Sequence, residues 1–219
     1  MTLVDWEAQW ASFAENFYDG VAHIDLKRFG GAGDLLLSPG PGFGDLSHPT
    51  TRLVLTLMQE RVKSQPIVDI GCGSGILGLA ALKLGALSLW GLDIDPDAIK
   101  HARQNATLNG LEAVFSDEIP DFTEERSGLD PIEKARILIE MEFRKKSSIL
   151  LMNMILPEQK MVMEQKVRLN AIAKTWITSG ILVSQREEYL AVTRSWGWEL
   201  AQELHEGEWL GMVFTTKSR

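Results

Sequence analysis

Three glycines, two aspartates and an asparagine carry the spacing in this chain that can do chemistry. In Ile67-Val68-Asp69-Ile70-Gly71-Cys72-Gly73-Ser74-Gly75 an apolar run leads straight into a glycine turn. Asp93 follows Gly71 by twenty-two positions, at the end of a second apolar run, Ser88–Leu92. Gly71 and Gly73 let the backbone approach a ligand where a Cβ would collide. A dinucleotide fingerprint would place its third glycine where Ile76 stands. Asp69, two residues before the first glycine, would repel a pyrophosphate but suits an ammonium group. Asp93 can accept both hydroxyls of a ribose, as the acid at the second strand end does in dinucleotide folds. S-adenosylmethionine has an ammonium, a sulfonium and an adenosine ribose, and no phosphate, and it is the ligand expected here. The alternative is an α/β domain with a tight turn and no nucleotide. Asn153 closes a third apolar run, Ile149–Met152. An amide at that strand end would face the reactive group of a methyl donor and position a nucleophile.

The elements that must hold these residues are legible around them. Strand, glycine turn, helix from Ile76, strand and acid form the entry unit of an open α/β sheet, which binds ligands beyond the carboxyl ends of its strands. A helix is expected over 51–62, with Leu53, Val54, Leu57 and Met58 on one face. Asp95 and Pro96 start another, which Asn109-Gly110 ends. Strands are expected at 113–116, 149–152 and 180–184, the last after a Ser179-Gly180 turn. Helices are expected over 158–174 and 187–196, and 198–204 with 209–215 as a closing antiparallel pair. Ser116-Asp117-Glu118 would sit where an adenine amino group is read, or form a solvated turn.

Upstream, residues 4–17 carry an amphipathic pattern that Asp5 can cap. Residues 19–46 are expected to be irregular, apart from a short strand at Leu35-Leu36-Leu37. The run Ser38–Thr51, rich in glycine and proline, is a loop able to fold over a ligand as a lid. Its His48 is either a general base or a cap on a neighbouring backbone group. The expected organisation is therefore an N-terminal helix and lid segment over 1–46, followed by a donor-binding domain over 47–219. Residues 119–147 form an insertion with an amphipathic helix from Asp130.

Composition narrows the classes. Of 219 residues, 45% are hydrophobic and 24% charged, the balance of a globular domain. No apolar run reaches the roughly 18 residues of a membrane span. Glu and Asp outnumber Lys and Arg to a net charge of −8, which opposes binding to a phosphate backbone. Cys72 is the only cysteine, and the four histidines are scattered, so neither a disulfide framework nor a metal site is expected. The acidic start of the chain lacks the positive end of a signal peptide, and a cytoplasmic protein is expected.

The run Gly42-Phe43-Gly44-Asp45-Leu46-Ser47-His48-Pro49-Thr50-Thr51-Arg52 resembles the F-G-T-G-T-H-P-T-T signature of the bacterial methyltransferases that modify a large-subunit ribosomal protein, the PrmA type. Ile70–Leu77, Gly91–Pro96, Asn153–Leu156, Ser179–Leu182 and Glu208-Trp209 follow in matching order, and Asp5-Trp6-Glu7 with Trp10 resembles that family's interdomain linker. The resemblance implies a class I methyltransferase, Rossmann-like fold: a seven-stranded, mostly parallel sheet in order 3-2-1-4-5-7-6, with an antiparallel C-terminal pair and helices on both faces. It implies S-adenosylmethionine as donor and carries over Thr51, Gly71, Asp93 and Asn153 as its contacts. The matching order begins at that linker, so no counterpart of the family's small N-terminal recruitment domain is expected within these residues. The signature's central threonine and glycine are Asp45 and Leu46, and Ser148 stands where an acid usually precedes the fourth strand.

Three functions follow as expectations. The first is N-methylation of a protein, possibly ribosomal, on lysine or an N-terminal amine. The second is methylation of a small molecule or nucleic acid. An adenine methyltransferase usually carries Asn-Pro-Pro-aromatic where this chain has Asn153-Met154-Ile155-Leu156. The third is a donor-binding scaffold without catalysis. Oligomeric state is open on this sequence.

Overall fold

The computed structural model describes residues 5–14, 16–42, 44, 46–117, 148–165 and 173–216. The chain opens with α1 (Trp6–Phe13), whose Asp5 Oδ1 accepts the Ala8 N–H at 3.0 Å. Residues 19–37, expected to be irregular apart from a strand at Leu35-Leu36-Leu37, fold together with Phe17, expected in the first helix, and Tyr18 into an antiparallel sheet of β1 (Phe17–Tyr18), β2 (Val21–Asp25) and β3 (Asp34–Leu37). Each strand is too short to show a long alternating pattern, yet Ala22, Ile24, Leu35 and Leu37 all face one core.

The main sheet contains β4 (Pro66–Ile70), β5 (Ser88–Leu92), β6 (Val114–Ser116), β7 (Ser148–Asn153), β8 (Ala173–Leu182), β9 (Trp198–Glu206) and β10 (Trp209–Thr216). Its order is β6-β5-β4-β7-β8-β10-β9, which is 3-2-1-4-5-7-6 when counted within the sheet. Pairs among β4 to β8 are parallel, and β10 runs antiparallel to β8 and β9. The central strands are buried on both faces, so they read as continuous apolar runs, as parallel strands do. Their side chains still alternate. Ile67, Ile149, Leu151, Ile177 and Val213 join one core, while Val68, Ile70, Leu150, Met152, Trp176 and Phe214 join the other.

Helices cover both faces. The first core takes the apolar sides of α2 (Pro49–Met58), α3 (Ile76–Lys83) and α4 (Pro96–Leu108), together with Trp10 and the small sheet. The second takes α5 (Leu156–Gln165) and α6 (Arg186–Ser195), around a cluster of Trp176, Trp198, Tyr189 and Phe214.

Two expectations are corrected. The fifth strand of the main sheet begins at Ala173, not Gly180, so Ala173 and Lys174 belong to a strand rather than to a helix. Gly180 is not in a turn before that strand but within it, at φ +91°, where β10 is out of step between Leu210 and Met212. Glycine in a strand marks close approach of another backbone. Here a Cβ would come 2.2 Å from the Met154 carbonyl oxygen. The 119–147 insertion, Glu118 and residues 166–172 lie outside the described residues, as do Phe43 and Asp45 of the loop.

The small sheet is joined to the main body by side-chain amides. Asn109, at the end of α4, accepts the Leu36 N–H at 2.9 Å and donates to the Leu36 carbonyl at 2.6 Å, acting as a one-residue strand on the edge of β3. Asn105 Oδ1 accepts from both Ser38 N–H and Ser38 Oγ at 2.8 and 2.7 Å. Replacing Asn109 by Ala leaves both Leu36 groups without that partner. We expect a loss of about 1–3 kcal/mol in urea unfolding; an unchanged midpoint would contradict a holding role for this amide.

Candidate donor and acceptor site

At the carboxyl ends of β4, β5 and β7 lies a cavity of 1050 Å³. Gly71, Gly73, Asp93 and Asn153 line it, as the sequence spacing anticipates. Asp69 and Thr51 do not. Asp69 is buried beneath the turn, where Oδ2 accepts the Gly78 N–H of α3 at 3.0 Å. Thr51 is fully buried in the first turn of α2, its hydroxyl without a hydrogen-bond partner among the described residues, while its neighbour Thr50 lines the cavity.

The turn is strapped to the end of β5. Gly71 and Cys72 N–H both donate to the Leu92 carbonyl, at 2.8 and 2.9 Å. Asp93 Oδ2 accepts the Gly73 N–H at 2.9 Å, and Oδ1 accepts the Asp95 N–H at 3.0 Å. A carboxylate has about four lone-pair sites, so acceptor capacity remains for a ligand. The three glycines sit at φ +70°, +54° and +83°, the left-handed region that side chains disfavour.

Asn153 ends β7 and the turn to α5 follows. That turn is held from behind by Gln159, fully buried, which donates to the carbonyls of Met154 at 2.6 Å and Ser179 at 2.8 Å. The Gln159 oxygen accepts from Thr178 Oγ1 at 3.0 Å and from the Tyr189 hydroxyl. Every hydrogen-bonding position of the amide is filled, which keeps a polar group in the core without a desolvation cost. The Met154 side chain then lies over Gly71, where a Cβ would come 2.5 Å from its sulfur.

The front wall is Pro41, Gly42, His48, Thr50 and Trp209. His48 Nδ1 pairs with Thr50 Oγ1 at 2.8 Å and accepts the Thr50 N–H at 3.4 Å, and the ring meets Trp209 edge to face at 5.2 Å. It is a cap on α2 and a piece of cavity wall at once. Arg52 ties the loop to the sheet, bonding the carbonyls of Leu46 and Ser47 and the Glu206 carboxylate. Sequence reasoning gave no site role to Ile94, Ile155 and Met161, which rim the cavity and expose 94%, 51% and 59% of their surface. Apolar side chains left in water around one opening are the only signal, and it exists only in three dimensions.

Charge around the site has one sign. Asp93, Asp95, Asp117 and Glu158 line the cavity, and among the described lining residues there is no lysine or arginine. Burial raises the Asp69 carboxyl to about 7, against the Gly78 hydrogen bond and with help from nearby Asp93. Burial, with Asp69 and Asp93 nearby, pushes the Cys72 thiol far above its ordinary range, so it offers no nucleophile. Among the described residues no group of three or more His, Cys, Asp or Glu side chains can hold a metal, and no helix is long and apolar enough to cross a membrane.

The family model for ribosomal protein L11 methyltransferase (PrmA) matches residues 31–217. The chain belongs to this family. A ribosomal protein L11 methyltransferase from Hydrogenovibrio crunogenus is 33% identical over 183 residues, covering 83% of this chain and 55% of the relative. One from Thermoanaerobacter pseudethanolicus is 30% identical over 220 residues, covering 97% and 65%. The chain thus spans about half to two thirds of the length of these PrmA relatives. Among solved structures, a ribosomal protein L11 methylase from Lactobacillus delbrueckii subsp. bulgaricus superposes with TM-score 0.63 at 24% identity, covering 83% of this chain and 84% of that one. This likeness establishes the shared fold.

Asp69 gives the site a pH signature. Its carboxyl titrates near 3.8 when unfolded and about 7 when folded, so the folded protein holds a proton the unfolded chain lacks between those values. The stabilising effect of that proton is complete below the lower value and is lost as pH rises through the upper one. Asp69→Asn keeps an acceptor for Gly78 and abolishes the titration. The variant should gain on the wild type by ~1.4 kcal/mol per pH unit across this window, and level off above it, in urea unfolding. A difference independent of pH would show that Asp69 stays ionised.

Proposed function

We propose that the protein is an S-adenosylmethionine-dependent methyltransferase that methylates an amine of a protein, with ribosomal protein L11 the first acceptor to test. The observation that carries this reading is the cavity wall itself. Its glycine turn is backed by Asp93, it holds four carboxylates, and no lysine or arginine is among its described residues. A pyrophosphate coenzyme would meet only like charge there, whereas a ligand with an ammonium and a sulfonium meets complementary charge.

The residues fit such a donor. Asp93, with one backbone N–H on each oxygen, keeps lone pairs for the two ribose hydroxyls. Ile94 offers a flat base an apolar surface otherwise left in water. Gly71 and Gly73 let the chain come close. Asp69 acts from beneath the turn, through Gly78, rather than by touching the ligand. Bound here, S-adenosylmethionine supplies a methyl group on a positively charged sulfur. The protein's part is to deliver an uncharged amine in line with it. An amine is mostly protonated at neutral pH and must shed its proton first. The acidic rim attracts the charged form, and Asn153 orients the nitrogen once it is neutral. Trp209, His48 and the Pro41-Gly42 wall exclude water. Orientation of this kind supplies roughly 7–11 kcal/mol in the best cases.

Two variants separate binding from turnover. Asp93→Ala should weaken donor binding at least ~10-fold, since hydrogen bonds to a charged group contribute about 1.5–3 kcal/mol. Asn153→Ala should leave donor binding within a few-fold and lower turnover by about 100-fold, the order expected for a mispositioned reactant. Calorimetry with the donor and transfer of labelled methyl to ribosomal protein L11 read the two effects. Wild-type behaviour in both variants would sink the assignment. Donor binding with label passing to nucleic acid, or to no fraction of a lysate, would redirect it to another acceptor or to a scaffold.

A further inference from the structure

The wall that closes the front of the cavity hangs on a histidine. His101 lies in the middle of α4 with 1% of its surface exposed. Its Nε2 bonds the Ser38 carbonyl at 2.7 Å, and its Nδ1 accepts the Gly42 N–H at 3.1 Å. These partners fix the tautomer. A carbonyl can only accept, so the proton is on Nε2; an N–H can only donate, so Nδ1 carries a lone pair. Between the two bonds the loop passes over the ring at Gly40, where a Cβ would come 2.6 Å from the imidazole. Trp10 of α1 meets the ring edge to face at 6.0 Å and donates its Nε1–H to the Gly40 carbonyl at 3.3 Å.

What this ring holds is the glycine turn's cover. Gly42 lies flat on the Gly73-Ser74 peptide, where a Cβ would come 2.5 Å from the Gly73 carbonyl carbon. Ser74 Oγ donates to the Gly44 carbonyl at 2.8 Å, and Asn105, one turn along α4 from His101, donates to the Ser74 carbonyl at 2.9 Å. Pro41 and Gly42 are cavity wall. Loop, turn and α4 are therefore one interlocked set, and of the side chains named here as bonding the loop, His101 is the one that titrates.

We propose that His101 is a positioning residue for the donor site: in its neutral form it clamps the Ser38–Gly42 loop onto the glycine turn, and its protonation releases the clamp and weakens donor binding. A proton on Nδ1 would point at the Gly42 N–H, replacing an attraction by a clash of two donors. Its partners are Trp10 from α1 and the backbone of Ser38, Gly40 and Gly42 from the loop, none of which is charged. Among the described residues, no carboxylate bonds the ring to compensate an imidazolium. Burial also holds the folded ring below its ordinary range, which is the direction the clamp requires.

The sign follows from linkage. With the loop released, the ring titrates near 6.5; with it clamped, lower. Clamping therefore expels a proton, is unhindered above ~6.5, and weakens as pH falls below that value. The proposal rests on the reading of the cavity as a methyl-donor site, so its test has two arms. In the first, S-adenosylmethionine is titrated calorimetrically from about pH 7.5 to about pH 5.5. Relative to His101→Gln, which still donates to Ser38 but has no titrating ring, the wild type should lose up to about tenfold in affinity. Asp69 titrates in both proteins and cancels in this ratio. His101→Ala should bind more weakly than His101→Gln at the upper pH. Parallel pH profiles for wild type and His101→Gln, or wild-type affinity in His101→Ala, would overturn the clamp.

The second arm needs no donor. Amide exchange should show the Gly42 protection factor falling across the same pH range, while Leu79, in the helix behind the turn, keeps its protection. Constant Gly42 protection would overturn the clamp. Wild type that binds no donor at any pH would defeat the functional reading, and the exchange result would then decide the clamp alone.

Discussion

The Asp93 carboxylate holding the Gly73 N–H at 2.9 Å is the contact on which the rest of the site depends. Three of the five residues in the glycine turn, Gly71, Gly73 and Gly75, have positive φ, and as glycines they gain no local preference from side chains. Its shape has to be imposed from outside. The end of β5 imposes it, through the Leu92 carbonyl for Gly71 and Cys72 and the Asp93 side chain for Gly73. One acid thus shapes the turn and faces the cavity. Replacing it removes both the strut of the turn and a part of the cavity wall.

The second constraint is layered behind the first. The Asn153 side of the cavity is built around Met154, whose side chain covers Gly71 and whose backbone leans on Gly180. Gln159 locks that turn with four partners drawn from its own turn, β8 and α6. The front wall is locked by His101 and Asn105 of α4. In each case a loop residue touches the cavity, while a buried polar side chain on a regular helix holds the loop. A half-satisfied buried network would be worse than an apolar core. These networks are satisfied, so they fix loops that have little apolar surface of their own.

Much of this was legible in the sequence, for local reasons. The 67–75 run, Asp93 and Asn153 announce themselves because strand, turn and acid are contiguous, and the main sheet followed. The family signature extended that reading to the sheet order. Of the small sheet only β3 was legible, from Leu35-Leu36-Leu37; β1 has two residues and β2 five, too few for alternation to stand out among the glycines and acids of 19–34. Gly180 was read as punctuation, although its role is to make room for Met154 inside a strand. His101 and Gln159 sit on helices to whose polar side chains sequence reading assigned no role. Their partners lie as far as 63 and 30 residues away, so no window along the chain pairs them. Asp69 was read as a ligand contact because it precedes the turn, whereas strand alternation directs it under α3.

The central claim is that this turn is shaped for a phosphate-free, positively charged adenosine compound. Parallel calorimetric titrations of the wild-type protein with S-adenosylmethionine, its demethylated product, a nicotinamide dinucleotide and a flavin dinucleotide test it most directly. The account predicts saturable heat with the first two and none with the dinucleotides. Saturation by a dinucleotide, with no heat from either sulfur compound, would contradict it.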